Sequence, residues 1–284
     1  DAAVTDYLSH FFGVWEGIER DYDSFDPVLR RVMEAYADGV NLFASLHPEQ
    51  RRPGFTPLTG KDVAAGFVFR TPFFYGLDQT LQGLFGPTRA SEVAEEPFLK
   101  QGAIKLLTDP LHYLKGSNGW AVAPHRSSDE TTRLLINSHQ PFTGPVAWYE
   151  VRLKSEEGWD AAGGTFPGAP FMLHGATPHL GWANTVNKPD LADVFVLDMH
   201  PEDEMLYRLD GEWVPLESHD ISIRVKLWGP FFWTVTREVL RSAHGPVLRT
   251  DHGTYAVRYA GMGETNQAAQ YYALNKATNF EEWR

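Results

Sequence analysis

The chain has 284 residues, with 43% hydrophobic and 22% charged side chains and a formal net charge of −12. That composition carries enough apolar material for a sizeable core and excludes a disordered, collagen-like or coiled-coil chain. The acidic balance argues against nucleic-acid or anionic-membrane partners, no apolar run approaches the ~18–20 residues of a membrane span, and the lack of cysteine excludes disulfides and thiolate chemistry.

In chain order, residues 1–46 read as helices. Val32, Met33, Tyr36, Val40 and Phe43 recur at three- and four-residue steps, the period of one buried face. Asp26 is a capping residue, followed by proline at the first helical position. Residues 47–60 form a loop punctuated by proline and glycine. Thr59-Gly-Lys-Asp62 caps a further helix that enters the apolar stretch 63–74. Residues 86–97 are polar, and 98–114 are predicted helical with a break at Pro110. At Gly116 the texture changes. Runs rich in Val, Ile, Tyr, Trp and Thr alternate with turn residues, predicting strands over 120–123, 134–137, 147–153, 194–197, 221–225, 233–239 and 255–259. A helical part (1–116) feeding a strand-rich part (117–284) predicts an α+β fold without internal repeats. Residues 279–284 read as the start of an amphipathic helix. The opening Asp1-Ala-Ala lacks the basic and apolar segments of a secretory leader, so the expectation is a processed chain or a piece of a longer one.

Ser117 opens the strand-rich part within Gly116-Ser117-Asn118, which taken alone is a turn entering a strand. It is not a nucleophile elbow, because Lys115 stands where the first glycine belongs. An S-x-x-K pattern fails too, since Trp120 holds the lysine position. A Ser-His-Asp hydrolase therefore has no sequence support. His174 and His179 are five apart, with Gly175 and Pro178 between them; they read as loop residues rather than a helical zinc pair. The aromatic set Phe142, Trp148, Phe166, Phe171, Trp228, Phe231 and Trp233 reads first as core, and some of it as pocket lining. Glu202, Asp203 and Glu204 read as a solvated turn.

Five segments in order carry a resemblance: Gly116-Ser-Asn-Gly-Trp-Ala-Val-Ala-Pro124, Leu134-Leu-Ile-Asn-Ser-His-Gln-Pro141, Trp148-Tyr-Glu-Val-Arg-Leu153, Gly181-Trp-Ala-Asn-Thr-Val-Asn187 and Asp190-Leu-Ala-Asp-Val-Phe195. Upstream, Glu34-Ala-Tyr-Ala-Asp-Gly-Val-Asn41 adds a helix ending. Together they resemble the penicillin acylase family of N-terminal-nucleophile hydrolases, which includes penicillin, cephalosporin and N-acyl-homoserine-lactone acylases. Family members are longer at both ends, so the chain reads as an internal fragment.

The resemblance implies a four-layer αββα sandwich with a helical N-terminal part. It also implies hydrolysis of a linear amide, in an N-acyl-homoserine lactone or a β-lactam side chain, through a serine acyl-enzyme. The precursor is expected to cut itself between Gly116 and Ser117, leaving a heterodimer of two chains from one precursor, periplasmic or secreted. The freed α-amine titrates near pH ~7.7–8 and serves as the base that a serine hydroxyl needs. By resemblance His139 contacts that amine, the Val186 N–H is one oxyanion-hole donor, and the second donor is an asparagine beyond Arg284. Taken alone, His139 is a loop histidine and Val186 a core strand valine. Trp148, Phe166, Phe171, Phe142 and Gln140 are expected at the substrate; the family often has an aromatic residue where Gln140 stands, which leaves the acyl preference open. Asp190, Ala192 and Asp193 match a structural calcium site using two carboxylates and one carbonyl, with Asp78 or Glu92 as a further acid; taken alone they cap a loop before a strand. No catalytic cofactor is expected. The rival reading is an inactive fragment or uncleaved precursor with only a folding or binding role.

Overall fold

The structure, a computed structural model, describes residues 2–52, 55–85, 116–140, 142–144, 146–186, 189–229 and 231–284. The helix predicted over 98–114 and the candidate Glu92 lie outside the described residues. The helices are α1 (Ala2–Phe11), α2 (Val14–Asp21), α3 (Pro27–Leu46), α4 (Gly60–Arg70), α5 (Leu77–Leu84), α6 (Gln267–Lys276) and α7 (Phe280–Trp283). None of the described helices is long and apolar enough to cross a membrane. The first strands are β1 (Ser117–Val122), β2 (Arg133–Ser138), β3 (Tyr149–Ser155), β4 (Trp159–Thr165), β5 (His174–Ala176) and β6 (Gly181–Trp182). They are followed by β7 (Ala192–Val196), β8 (Leu206–Leu209), β9 (Glu212–Pro215), β10 (Glu217–Trp228), β11 (Phe231–Ser242), β12 (Gly245–Thr250) and β13 (Gly253–Tyr259). Helices and antiparallel sheets together make the α+β class read from the sequence.

The chain divides into two compact units, and both draw segments from either side of residue 116. One comprises Ile18–Thr71, Asp109–Asn187 and Thr265–Arg284; the other comprises Asp1–Gly17, Pro72–Thr108 and Lys188–Glu264.

In the first of these, α3 starts as the sequence dictates. The Asp26 carboxylate accepts from the N–H groups of Val28 (2.7 Å) and Leu29 (3.1 Å), with Pro27 at the first helical position. The fully buried stripe is Leu29, Met33 and Ala37, one helix position away from part of the predicted face. Val32, Tyr36 and Val40 are half-buried, and Phe43 is exposed and stacks on His47 instead. Helix α4 opens with a reciprocal capping box between Thr59 and Asp62 and packs on α3. Strands β3-β4-β5-β6 form a four-stranded antiparallel sheet, and β1-β2 a separate two-stranded ladder. Ala161, Met172 and Trp182 are the buried centre of the sheet's core, with Leu274 of α6 packed against them. The buried Asn275 amide fixes that helix in place: it accepts from Met172 N–H and donates to Met172 C=O, both at 2.9 Å. The short α7 has Asn279 as its N-cap, as the end of the sequence suggested.

The other unit is built on the antiparallel sheet β10-β11-β12-β13-β7. Tyr207, Leu216, Leu240, Val247 and Ala256 lie in one core cluster. Ile221, Ile223 and Val239 form another, covered by Ala3 and Tyr7 of α1. Gly13, with φ +67°, turns the chain after α1, and a Cβ there would meet the Arg241 guanidinium at 2.9 Å. The core reading of Trp228, Phe231 and Trp233 is corrected: all three are exposed. They stand at the far end of the β10/β11 hairpin, beyond the positions that α1 covers.

Candidate active site

Strand β1 runs antiparallel to β2, and the ladder begins one residue before it: His139 N–H donates to Gly116 C=O at 3.1 Å. Because that pair exchanges a backbone bond, the next pair, Ser117 and Ser138, is a non-hydrogen-bonded one. Side chains of such a pair stand closest and on one face. The strand therefore starts at Ser117 itself, earlier than the sequence suggested. Ser117 Oγ donates to the Gly116 carbonyl at 2.5 Å, so that carbonyl accepts from both Ser117 and His139.

His139 lies just past β2 and is exposed. The Asn118 amide Nδ2 stands 3.3 Å from His139 Nε2 and donates to it. The Nδ1 edge of the ring lies against Gly116, where a Cβ would stand 3.2 Å from Nδ1. Glycine at 116 thus lets the imidazole sit against the bond that precedes Ser117.

The segment 181–186 runs along the ladder face that carries Ser117. Gly119, two residues on and on the same face, would place a Cβ 3.8 Å from Thr185 Cγ2 and 4.0 Å from Ala183 Cβ. A Cβ on Gly181 would come within 3.0 Å of Leu134 Cδ2. Val186 follows β6 in an irregular segment and is half-buried, so it is not a strand valine.

His174 is corrected from a loop residue to the first residue of β5, buried beneath this face. Its Nδ1 accepts from Asn184 N–H at 2.9 Å, and its Nε2 lies 3.3 Å from Ser138 Oγ. With Nδ1 accepting, the ring proton sits on Nε2 and is donated to Ser138. Burial holds the imidazole down to about 4, against an ordinary 6.5, so it is neutral at working pH. His179 sits in a turn and does not join it.

Of the residues expected at the substrate, Trp148 packs on Phe166 (ring centroids 4.2 Å) and on His174 (4.4 Å). Gly164 makes room for that indole, since a Cβ there would lie 2.8 Å from the ring. Phe166 is buried, and Phe171 is fully buried among Phe67, Trp159 and Tyr272. Phe142 is fully exposed, and Gln140 is half-buried. Trp148 thus joins the aromatic wall to the histidine, while Phe171 belongs to the core. Ser138 and Asn184 are residues that sequence reasoning passed over, and His174 is one that it read as a loop residue. Register was the available signal for Ser138: in a hairpin pairing His139 with Gly116, it must face Ser117.

Asp190, Ala192 and Asp193 lie in the other unit. Asp190 and Asp193 line a groove of about 390 Å³ with Arg258, Tyr259 and Glu264. Asp193 stands opposite Arg258 in the β7/β13 register. Asp78 is buried in the first turn of α5, which packs on β7. Among the described residues, no three His, Asp or Glu side chains converge as a ready metal site. The oxygen donors at 190, 192 and 193 are of the type that calcium takes, while Arg258 supplies a competing positive charge.

The chain is similar to known proteins in sequence, in family and in part of a solved structure. The acyl-homoserine lactone acylase PvdQ of Pseudomonas fluorescens is 27% identical over 98% of this chain and 38% of its own length. The acyl-homoserine lactone acylase QuiP of Pseudomonas aeruginosa is 26% identical over 84% of this chain and 32% of its own. A solved structure, the thermostable penicillin G acylase from Alcaligenes faecalis, aligns with a TM-score of 0.48 at 23% identity, over 58% of this chain and 30% of that one. The chain therefore spans less than two-fifths of the length of these curated relatives. The family described as penicillin amidase matches residues 1–284, and the chain belongs to that family.

Proposed function

We propose that the protein to which this chain belongs is an amide hydrolase with Ser117 as its N-terminal nucleophile, freed by self-cleavage at Gly116–Ser117. The observation that carries this reading is the contact of Ser117 Oγ with the Gly116 carbonyl at 2.5 Å, on a carbonyl already accepting from His139 N–H. A hydroxyl beside a polarised carbonyl is the starting geometry for an N-to-O acyl shift. Oγ forms a bond to the Gly116 carbon, the C–N bond breaks, and the nitrogen takes the hydroxyl proton. Water then hydrolyses the ester, leaving the Gly116 carboxylate and a free amine on Ser117.

That amine takes the Ser117 proton in the second reaction. Oγ attacks the substrate carbonyl, the amine product leaves with the proton, and water releases the acyl group. His139 stands beside the amine, and Val186 N–H offers one hydrogen bond to the oxyanion, worth a few kcal/mol by analogy with other such donors. Trp148 and Phe166 form the apolar wall for the acyl chain, with Gln140 and Phe142 near its mouth and Phe171 supporting the core. The names of the curated relatives favour N-acyl-homoserine lactones over β-lactam side chains. We extend the reading to a periplasmic or secreted heterodimer. Calcium, held by Asp190, the Ala192 carbonyl and Asp193, would be structural.

The test is release of free homoserine lactone from N-acyl-homoserine lactones by the whole protein. Ser117→Ala should release none. Hydrolysis retained in that variant would remove Ser117 as the nucleophile.

A further inference from the structure

His174 has no part in the proposed chemistry, yet it is a buried imidazole with both nitrogens engaged. One nitrogen accepts from Asn184 N–H, two residues before Val186. The other meets Ser138 Oγ, on the residue directly opposite Ser117 in the β1/β2 ladder. Trp148 packs on the ring, with centroids 4.4 Å apart, and limits its movement on that side. Asn184 is held independently, its Nδ2 donating to Leu173 C=O at 3.1 Å.

We infer that His174 is a positioning residue that ties the strand opposite the nucleophile to the segment carrying the oxyanion donor, and so sets the separation between Ser117 Oγ and Val186 N–H. The inference rests on the proposed function. Its physical basis is that nothing else described links these two elements through a single rigid group. The ladder and the segment 181–186 also lie close at Gly119 and at Leu134, where Cβ atoms added to Gly119 and Gly181 would stand 3.8 Å from Thr185 Cγ2 and 3.0 Å from Leu134 Cδ2; such packing resists approach but not sliding. A planar ring with one acceptor and one donor fixes direction as well as distance. Displacing an oxyanion donor by about 1 Å costs on the order of a hundredfold in rate, and it does so in the transition state rather than in substrate binding.

The test is a double-mutant cycle in the whole protein, with His174→Asn, Ser138→Ala and the double variant. An asparagine carbonyl at 174 takes the place of Nδ1 and keeps the Asn184 bond, but it cannot reach Ser138. The two single variants therefore cut the same link from opposite ends. Each should process at Gly116–Ser117, and each should lower kcat for an N-acyl-homoserine lactone by about tenfold to a hundredfold with KM unchanged. The double variant should lose no more than either single one. Ser138→Ala keeps the backbone and removes one oxygen, so it stays informative if His174→Asn does not fold. An unchanged kcat in folded Ser138→Ala, or losses that multiply in the double variant, would overturn the inference. A wild-type protein that neither cuts nor hydrolyses overturns the proposed function and this inference with it. A wild type that does both, beside unaffected variants, overturns this inference alone.

Discussion

Two antiparallel hairpins, β1/β2 and β10/β11, differ in what holds the rest of the molecule against them. The twelve-residue strands of β10/β11 bury Ile221, Ile223 and Val239 under α1, an apolar contact that any well-shaped hydrophobic set could make. The six-residue strands of β1/β2 carry Ser117 and Ser138 side by side, and Ser138 is joined through the buried His174 ring to the backbone N–H of Asn184. Apolar contact supplies stability without direction. Hydrogen bonds to a buried ring supply direction, at the expense of desolvating polar groups, and direction is what the proposed role of Ser117 requires.

The largest break in that contrast should come from Gly163→Ala. A Cβ there would lie 2.0 Å from His174 C=O, against backbone that cannot yield, so β4 and β5 would have to separate. We expect a loss of about 3 kcal/mol or more, read by urea unfolding, and loss of processing with it. The next effect is a pH dependence. The folded His174 value near 4 lies below the ordinary 6.5, so the unfolded chain takes up a proton first. The contribution is whole above pH 6.5 and is lost as pH falls through 4, on the order of 3 kcal/mol in all. His174→Asn should flatten that part of the stability–pH curve. Val239→Ala, in the apolar hairpin, should cost about 2 kcal/mol while leaving processing intact in the folded fraction. Thr59→Ala should cost about 1 kcal/mol by removing one side of the α4 capping box, again without effect on processing.

The same contrast explains what could be read from the sequence. Strands β2, β10, β11 and β13 were visible because short apolar, strand-favouring runs stand between turn residues, and α3 and α4 because Asp26 and Thr59 announce them. Strand β4 was not: Ala161, Ala162, Gly163 and Gly164 have little strand propensity, and they are small because β5 and the Trp148 ring come so close. Helix α6 was missed because its fixing residue, Asn275, is polar and buried, the opposite of an amphipathic signal. At the candidate site, the order of motifs nominated Ser117, His139 and Val186. His174 was read as a loop residue because its partners lie 36 residues before it and ten after it, a juxtaposition that only the fold creates.

The most direct measurement is N-terminal sequencing of the whole protein after denaturation, beside its Ser117→Ala variant. We expect a fragment beginning Ser117-Asn118-Gly119 in the wild type and none beginning at that position in the variant. A wild-type protein with the Gly116–Ser117 bond intact, yet hydrolysing N-acyl-homoserine lactones, would contradict the proposed function, since the amine that serves as base would not exist.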